Sequence, residues 1–520
     1  MQAVAESPVI KQTNPHRKLK AKLREPALLI GRHPTKDEYL ASYGQTFALL
    51  AAPPGSGKGV GIIIPNLLTY PDSVIVNDPK MENWTKTAGF RQAAGHECYR
   101  FSPHLLETHR YNPFDYVRRE ELYRLGDIKK LSASWFVAKD PKHAGFYQQA
   151  GGIFNALLLY MLETPSIPCN PAQLYRLQAK GTQLGEWVRE TIDMRNESGH
   201  PLSEETQREM GRIVTLSQSE SGFPIVTGIL DEKMAAFSEP TVAYATSASD
   251  FDFRDVRKKR MSIFFSIPSA PSEMKKFAFL MNSFFTHVIE SNAYELPEEG
   301  PVDENGELVL KYQVLLVMDE LAVMGVIEAL KIAPALMRQY NIRFLLICQN
   351  KEQLRSNDLY GHEGANAIIK ALHIEIVFAP ADDKDAREYS DRLGTTTYID
   401  ENDGKSFGKS SSRSRNKSKH PRALMMPQEI KDMPYGDQLI FIQPTKNNPS
   451  TQIYARKIMW YEDELLASRA NMPLPTVPEA TREDVQKILS GSDNSIRKVR
   501  LRPQYEKTGN TAKPNHTTLN

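Results

Sequence analysis

A glycine-rich turn carrying one lysine is the first group of residues whose types and spacing could do chemistry. Residues 52–60 read APPGSGKGV, and the first of them is the last residue of the apolar run TFALLAA at 46–52. Where a strand turns into a helix, free backbone N–H groups and the helix dipole attract phosphate oxygens, and Lys58 can reach the β and γ phosphates of a nucleotide. We therefore predict a nucleotide-binding loop formed by Pro54, Gly55, Ser56, Gly57, Lys58, Gly59 and Val60.

This loop departs from the usual pattern G-x-x-x-x-G-K-[ST] at two positions. Ala52 stands at the first glycine, and Gly59 stands where the pattern has the hydroxyl that ligates magnesium. A tight glycine turn before a helix would account for the glycines but not for the lysine after an apolar strand. We expect nucleotide to bind, with Ser56, a water molecule or another carboxylate in place of the missing hydroxyl.

Two carboxylates follow another apolar run. The run QVLLVM covers 313–318, and Asp319 and Glu320 come directly after it. In phosphate-loop ATPases the first of two such carboxylates holds magnesium and the second polarises the attacking water. The same pair can also be a plain helix N-cap, and the phosphate loop favours the catalytic interpretation. Asp319 is therefore predicted as the metal ligand and Glu320 as the catalytic carboxylate.

An amide and two arginines lie near the next apolar run, 343–348. Gln349 follows this run and would lie at the sheet edge beside Glu320, where an amide can hydrogen-bond to the γ-phosphate and report its loss. An amide that caps the following helix is the alternative. In a ring of subunits, Arg338 or Arg343 could reach a neighbour's γ-phosphate as an arginine finger; the alternative is a surface arginine without that role.

Short β-rich runs must hold these residues at one edge of a sheet. Most of the runs do not alternate, which is typical of strands buried on both faces, and helical patterns such as 272–290 separate several of them. This order predicts a doubly wound, largely parallel α/β sheet. The runs lie at 46–52, 73–77, 262–267, 313–318, 343–348, 373–378 and 438–442.

The pattern changes in the middle of the chain. Between 122 and 261 long segments with helical periodicity follow one another without strand candidates. We predict an all-α domain at 122–254, inserted into a nucleotide-binding domain made of 30–121 and 255–461.

The remaining segments are polar. Residues 1–29 form a basic N-terminal segment, 401–422 is rich in Ser, Lys and Arg, and 472–520 is rich in Pro, Asn and charge. We predict a disordered basic loop at 401–422 and a disordered tail at 472–520, since neither buries much apolar surface. The basic loop is a candidate for DNA contact, and a solvated linker is the alternative.

Composition excludes several classes of protein. Hydrophobic residues make up 40% of the 520 residues and charged residues 25%, which excludes a mainly disordered or fibrous chain. The net charge of +2 means that any DNA-binding surface must be local. The three cysteines form no metal-binding spacing, and no apolar stretch reaches the ~18 residues that a membrane span requires, so we expect no transmembrane segment.

Six short motifs distinguish this sequence from ordinary phosphate-loop enzymes. They are VGIIIPN at 60–66, NDPKMEN at 77–83, YNPF at 111–114, VMDE at 317–320, CQN at 348–350 and PRALM at 421–425. Together they resemble the type IV coupling proteins, the TraG-like ATPases of bacterial conjugation and secretion, over roughly 30–461. The resemblance implies an α/β fold with a RecA-like P-loop NTPase domain and an inserted all-α domain.

The resemblance also implies a function and a site. By position, Lys58, Glu320 and Gln349 would be catalytic with ATP, Asp319 would hold Mg²⁺, and Arg338 would be the arginine finger. A hexamer would move DNA or nucleoprotein from the relaxase and relaxosome into the type IV secretion channel. The alternative is a nucleotide-stabilised cargo receptor that recruits relaxase or effector proteins. Most members carry two transmembrane helices before the motor domain; none is found in this sequence, and residence at the cytoplasmic side of the inner membrane is implied by the resemblance alone.

Overall fold

The computed structural model describes residues 25–138, 140–406, 412–444 and 449–491. These residues form two compact units. The sheet unit comprises 25–109 and 251–480, and the helical unit comprises 110–250 and 481–491. None of the helices in the described part combines the length and the apolar surface that spanning a bilayer requires.

The strands of the described residues all lie outside the helical unit. They are β1 (Leu28–Arg32), β2 (Tyr39–Ser42), β3 (Ala48–Ala51), β4 (Ser73–Asn77), β5 (Glu97–Phe101), β6 (Met261–Phe265), β7 (Val314–Met318), β8 (Ile342–Cys348), β9 (Ile374–Val377), β10 (Thr395–Ser406), β11 (Ser412–Ala423), β12 (Asp437–Ile442) and β13 (Thr451–Arg456).

The helices of the described residues occur in both units. They are α1 (Ile64–Leu67), α2 (Glu82–Ala93), α3 (Glu121–Trp135), α4 (Ala144–Leu162), α5 (Pro171–Gln178), α6 (Leu184–Glu197), α7 (Glu204–Leu216), α8 (Gly222–Met234), α9 (Pro240–Ala245), α10 (Pro271–Ser291), α11 (Ala333–Leu336), α12 (Lys351–Leu354), α13 (Gly361–Ala371), α14 (Asp383–Leu393), α15 (Pro427–Lys431), α16 (Glu464–Ala470) and α17 (Arg482–Ser490).

Eleven of the described strands form one mixed sheet, in the order β2-β1-β13-β12-β9-β3-β8-β7-β4-β6-β5. The seven strands from β9 to β5 are parallel, whereas β12, β13, β1 and β2 extend the sheet in antiparallel pairing. Every residue of β3, β4, β7 and β8 is buried, as expected for parallel strands covered on both faces. The predicted doubly wound, largely parallel α/β sheet is confirmed.

Helices alone make up the regular structure described for the helical unit. Its centre is α4, whose side chains Ile153, Phe154, Leu157 and Leu158 are fully buried and which packs against α3, α7 and α8. An all-α domain inserted between strands β5 and β6 is thus present, as the sequence predicted. The structure places its boundaries at 110–250 instead of 122–254. Backbone contacts near both ends close the insertion, including Tyr111 N–H to the Ala245 carbonyl at 2.8 Å.

Two segments predicted as disordered have regular structure where the structure describes them. Residues 482–490 form α17, because Thr481 and Asp484 make a reciprocal capping box at its start. Residues 401–406 and 412–422 belong to the β10–β11 hairpin, whose antiparallel register runs from Thr395 opposite Ala423 to Ser406 opposite Ser412. Residues 407–411 and 492–520 lie outside the described residues, as does most of 1–29.

Arg343 is a structural cation in the middle of the sheet. It lies in β8, is fully buried, and donates to the carbonyl oxygens of Thr46 (2.6 Å), Pro26 (3.0 Å) and Ser42 (3.1 Å). These bonds tie the residues before β1, at the end of β2 and before β3 to β8. Such a side chain cannot reach another subunit, so the alternative of Arg343 as an arginine finger is wrong.

We predict that Arg343→Met lowers the free energy of unfolding by about 3 kcal/mol, because several buried carbonyl groups lose their donor at once. Denaturant titration followed by circular dichroism measures the change. Lys384→Met, which alters a side chain that is 70% exposed in the same unit, should stay within about 0.5 kcal/mol of the parent. An Arg343→Met protein as stable as Lys384→Met would contradict the structural role.

Candidate active site

The phosphate loop lies at the carboxyl end of β3. The Ala52 N–H donates to the Cys348 carbonyl at 3.0 Å, which keeps the end of β3 joined to β8. Gly55 and Gly57 have φ values of +74° and +88°, a region that glycine enters without steric cost. A side chain at Gly57 would also collide with Tyr435, whose hydroxyl lies 2.5 Å from the place of a Cβ. These constraints explain the spacing of the two glycines.

Lys58 follows the turn and points at two carboxylates. Its Nζ lies 3.1 Å from Asp319 Oδ1 and makes a second ion pair with Glu320. Burial lowers the pKa of Lys58, but the neighbouring Asp319 and Glu320 outweigh that effect, so the pKa lies above its ordinary value. The ammonium is therefore charged at neutral pH and available to bind an anion.

Asp319 and Glu320 lie at the carboxyl end of β7, between β8 and β4. Asp319 is only 8% exposed, and burial raises its pKa against the opposing effect of Lys58. Asn77, at the end of β4, donates its Nδ2 to the Asp319 carbonyl at 2.5 Å. Glu320 adopts φ +55° and ψ +48°, a left-handed conformation that costs about 1 kcal/mol or more outside glycine. Such strain is typical of a functional turn.

The structure separates the two amides that follow β8. Gln349 donates its Nε2 to Glu320 Oε2 at 3.2 Å, so it lies in the cleft beside the catalytic candidate. Asn350 accepts the Gln353 N–H at 2.9 Å and caps α12. Gln349 therefore contacts the site, whereas the amide that caps the following helix is that of Asn350.

Arg338 is not part of this cleft. It precedes β8, where its Nη2 donates to the Ala371 carbonyl at 2.9 Å and lies 2.6 Å from His373 Nδ1, just before β9. Because β3, β8 and β9 are parallel, these residues lie at the amino edge of the sheet, opposite the edge that carries Lys58. Within one subunit, Arg338 cannot take part in chemistry at the phosphate loop.

The cleft that joins these residues has a volume of about 690 Å³ and includes several residues for which no role was predicted. Asp78 lies at the end of β4, accepts the N–H groups of Asn83 (3.2 Å) and Trp84 (2.8 Å), and is almost fully buried. Burial raises the pKa of Asp78 to about 7. Its position after an apolar strand beside β7 was the signal that could have revealed it.

The residues of the cleft fit a magnesium ion. Ser56 donates its hydroxyl to the Pro53 carbonyl at 2.6 Å, within the loop itself. A Cβ at Gly59 would lie 3.8 Å from Glu82 Oε2, so a carboxylate borders the position where the usual pattern has a hydroxyl. Glu82 and Asp319 both line the cleft. Mg²⁺ is commonly held by one or two carboxylates together with substrate phosphates, and this donor set meets that requirement.

Two known proteins are similar to this chain in sequence. Protein VirD4 of Agrobacterium fabrum is 27% identical over 452 residues, which are 85% of this chain and 62% of VirD4. Conjugal transfer protein TraG of Escherichia coli is 27% identical over 478 residues, which are 85% of this chain and 72% of TraG. The chain thus spans less than two thirds of VirD4.

The fold has a solved counterpart. The plasmid coupling protein TrwB in complex with ADP and Mg²⁺ matches with a TM-score of 0.52 at 16% identity, over 84% of this chain and 87% of TrwB. This likeness confirms the RecA-like fold with its inserted all-α domain. Residues 8–484 match the family model described as Type IV secretory system Conjugative DNA transfer. Because that match extends over nearly the whole chain, this protein belongs to the type IV secretory system conjugative DNA transfer family, the coupling proteins that its motifs resembled.

Proposed function

We propose that this chain is an ATP-driven DNA translocase that couples the relaxosome to a type IV secretion channel during bacterial conjugation. The observation that carries the proposal is the convergence of Lys58, the Asp319–Glu320 pair and Gln349 in one cleft of a family member. The family's description, conjugative DNA transfer, and the name of the relative TraG, a conjugal transfer protein, support a role in DNA transfer.

Lys58 can pair with either of two kinds of anion. In the structure its ammonium is paired with Asp319 and Glu320. A triphosphate on the amides of 55–59 offers stronger negative charge, so Lys58 exchanges Glu320 for the β and γ phosphates. That exchange frees the Glu320 carboxylate, and nucleotide binding thereby assembles the catalytic arrangement.

Glu320 is then the group that handles the attacking water. Its carboxylate accepts a hydrogen bond from the water and draws off a proton as the water approaches the γ-phosphate. Gln349 holds Glu320 through its amide and, after phosphate release, can report the change to α12, since Gln353 donates to Gln349 Oε1 at 3.2 Å. Asp319 and Glu82 would hold Mg²⁺, which would supply positive charge to offset that of the triphosphate.

Arg338 can take part in ATP hydrolysis only if subunits assemble. Its position at the amino edge places it beyond reach of its own cleft, so a finger role requires a neighbouring subunit. We propose a homo-hexamer in which Arg338 of one subunit faces the γ-phosphate of the next, at the cytoplasmic side of the inner membrane. Relaxase and channel components are the proposed partners.

We predict that the purified protein hydrolyses ATP with Mg²⁺, that DNA stimulates hydrolysis, and that the stimulation falls as salt rises, because contacts with phosphates release counterions. Glu320→Gln should lower turnover by about 100-fold or more, since it removes the proton acceptor. Phosphate release at several protein and salt concentrations measures both effects.

A matched control shows whether the loss of turnover comes from Glu320 itself or from the removal of any nearby carboxylate. Glu328→Gln removes a carboxylate that is 75% exposed in the neighbouring turn, and it should hydrolyse ATP like the parent. If Glu320→Gln hydrolysed ATP at the parental rate, with contaminating ATPases excluded, the assignment of the site would be wrong. ATP binding without DNA stimulation or translocation, combined with tight binding to a relaxosome protein, would favour the alternative of a cargo receptor.

A mixing experiment tests Arg338. Arg338→Ala and Glu320→Gln should each be nearly inactive alone, on the order of 1000-fold below the parent for loss of a finger. In mixed rings, some sites combine an intact cleft with an intact neighbouring Arg338. Equal amounts of the two should therefore recover up to about a quarter of the parental rate if subunits pair at random.

The control mixture combines Lys58→Thr with Glu320→Gln. Both changes lie in the same cleft, so no mixed site is complete and no activity should return. Recovery in this control, or none in the Arg338 mixture when subunits exchange freely, would argue against a finger supplied by a neighbour.

A further inference from the structure

Lys457 contacts the backbone of the phosphate loop. It follows β13 in the antiparallel extension of the sheet, is 5% exposed, and donates its Nζ to the Ser56 carbonyl at 2.9 Å. Its own N–H donates to the Gly436 carbonyl at 2.7 Å, which fixes the backbone from which the side chain extends. Neither the motifs nor the apolar runs of the sequence singled this residue out.

The surroundings of Lys457 keep its ammonium in place. The Nζ lies 3.8 Å from the centre of the Phe378 ring and 4.7 Å from that of Tyr435, so two aromatic faces stabilise the cation. The stem of the side chain lies against Gly61, where a Cβ would be 3.4 Å from Lys457 Cβ. Burial lowers the pKa of Lys457 to about 8, which leaves the side chain mostly protonated at pH 7. A charged donor makes a stronger hydrogen bond than a neutral one.

The bond to Ser56 determines the direction of one amide. In a planar trans peptide the carbonyl and the following N–H point to opposite sides. The Ser56 carbonyl points at Lys457, so the Gly57 N–H points away from it. Gly57 lines the cleft, and its φ of +88° is the backbone conformation that this peptide orientation uses. Amides of this loop are the groups that bind phosphate.

We propose that Lys457 is a positioning residue for nucleotide binding: by holding the Ser56 carbonyl, it keeps the Gly57 amide directed at the nucleotide phosphates. The inference rests on the proposed ATP site and adds to it a residue from the opposite end of the chain. Without Lys457 the 56–57 peptide can rotate, since Gly57 tolerates many conformations. The Gly57 N–H then no longer points at the phosphate and cannot bind it.

The test is the affinity for MgADP, measured by titration calorimetry on the whole protein. Lys457→Met keeps the stem on Gly61 and removes the donor, and its MgADP affinity should fall about ten-fold. Lys457→Arg restores a cationic donor and should recover most of that loss. If Lys457 had a purely structural role, Lys457→Met and Lys457→Arg would bind MgADP equally well whenever their melting temperatures were equal.

Arg469→Met is the matched control. Arg469 also donates to a backbone carbonyl, that of Leu68 at 2.7 Å, and lies over the Phe90 ring, but it is away from the cleft. It should bind MgADP like the parent even where its melting temperature falls. Parental affinity in Lys457→Met, or an equal loss in Arg469→Met, would overturn the inference. If the parent itself does not bind MgADP, the proposed ATP site fails instead.

Discussion

The ion pairs between Lys58 and the two carboxylates after β7 are the interaction on which the rest of the structure depends. Their formation requires the carboxyl ends of β3 and β7 to lie at one edge, with β8 between them in parallel register. Residues that are 262 positions apart in the chain thereby meet. The buried strands fix this edge, and Arg343 ties β8 to the backbone near β1, β2 and β3. The buried core of the sheet unit holds these residues in this arrangement.

The cleft carries charges of both signs, which suit a metal ion and phosphate groups respectively. Asp78, Asp319, Glu82 and Glu320 line it together with Lys58, Lys80 and Lys275. Burial raises the pKa of both Asp78 and Asp319, because their charged forms are costly away from water. A divalent cation would stabilise the charged forms of these carboxylates. The carboxylates thus favour Mg²⁺, whereas Lys58 and the loop amides favour the phosphates.

Parts of this architecture follow from local sequence, and others do not. The apolar runs at 73–77, 313–318 and 438–442 match β4, β7 and β12 closely, because strands buried on both faces leave an unambiguous pattern. The phosphate loop and the Asp319–Glu320 pair were visible for the same reason, since each follows such a run. Lys457, Tyr435 and Arg343 were not predicted to be structural, because their contacts arise from pairing between distant strands. The helix at 482–490 was missed because its capping box is embedded in a polar segment.

The role of the cleft can be tested by a structure of the protein with Mg²⁺ and a non-hydrolysable ATP analogue. We expect a triphosphate on the amides of 55–59, Mg²⁺ beside Asp319, and Lys58 Nζ in contact with the phosphates instead of with Glu320. Nucleotide bound elsewhere, or bound while Lys58 still pairs with Glu320 and touches no phosphate, would contradict it.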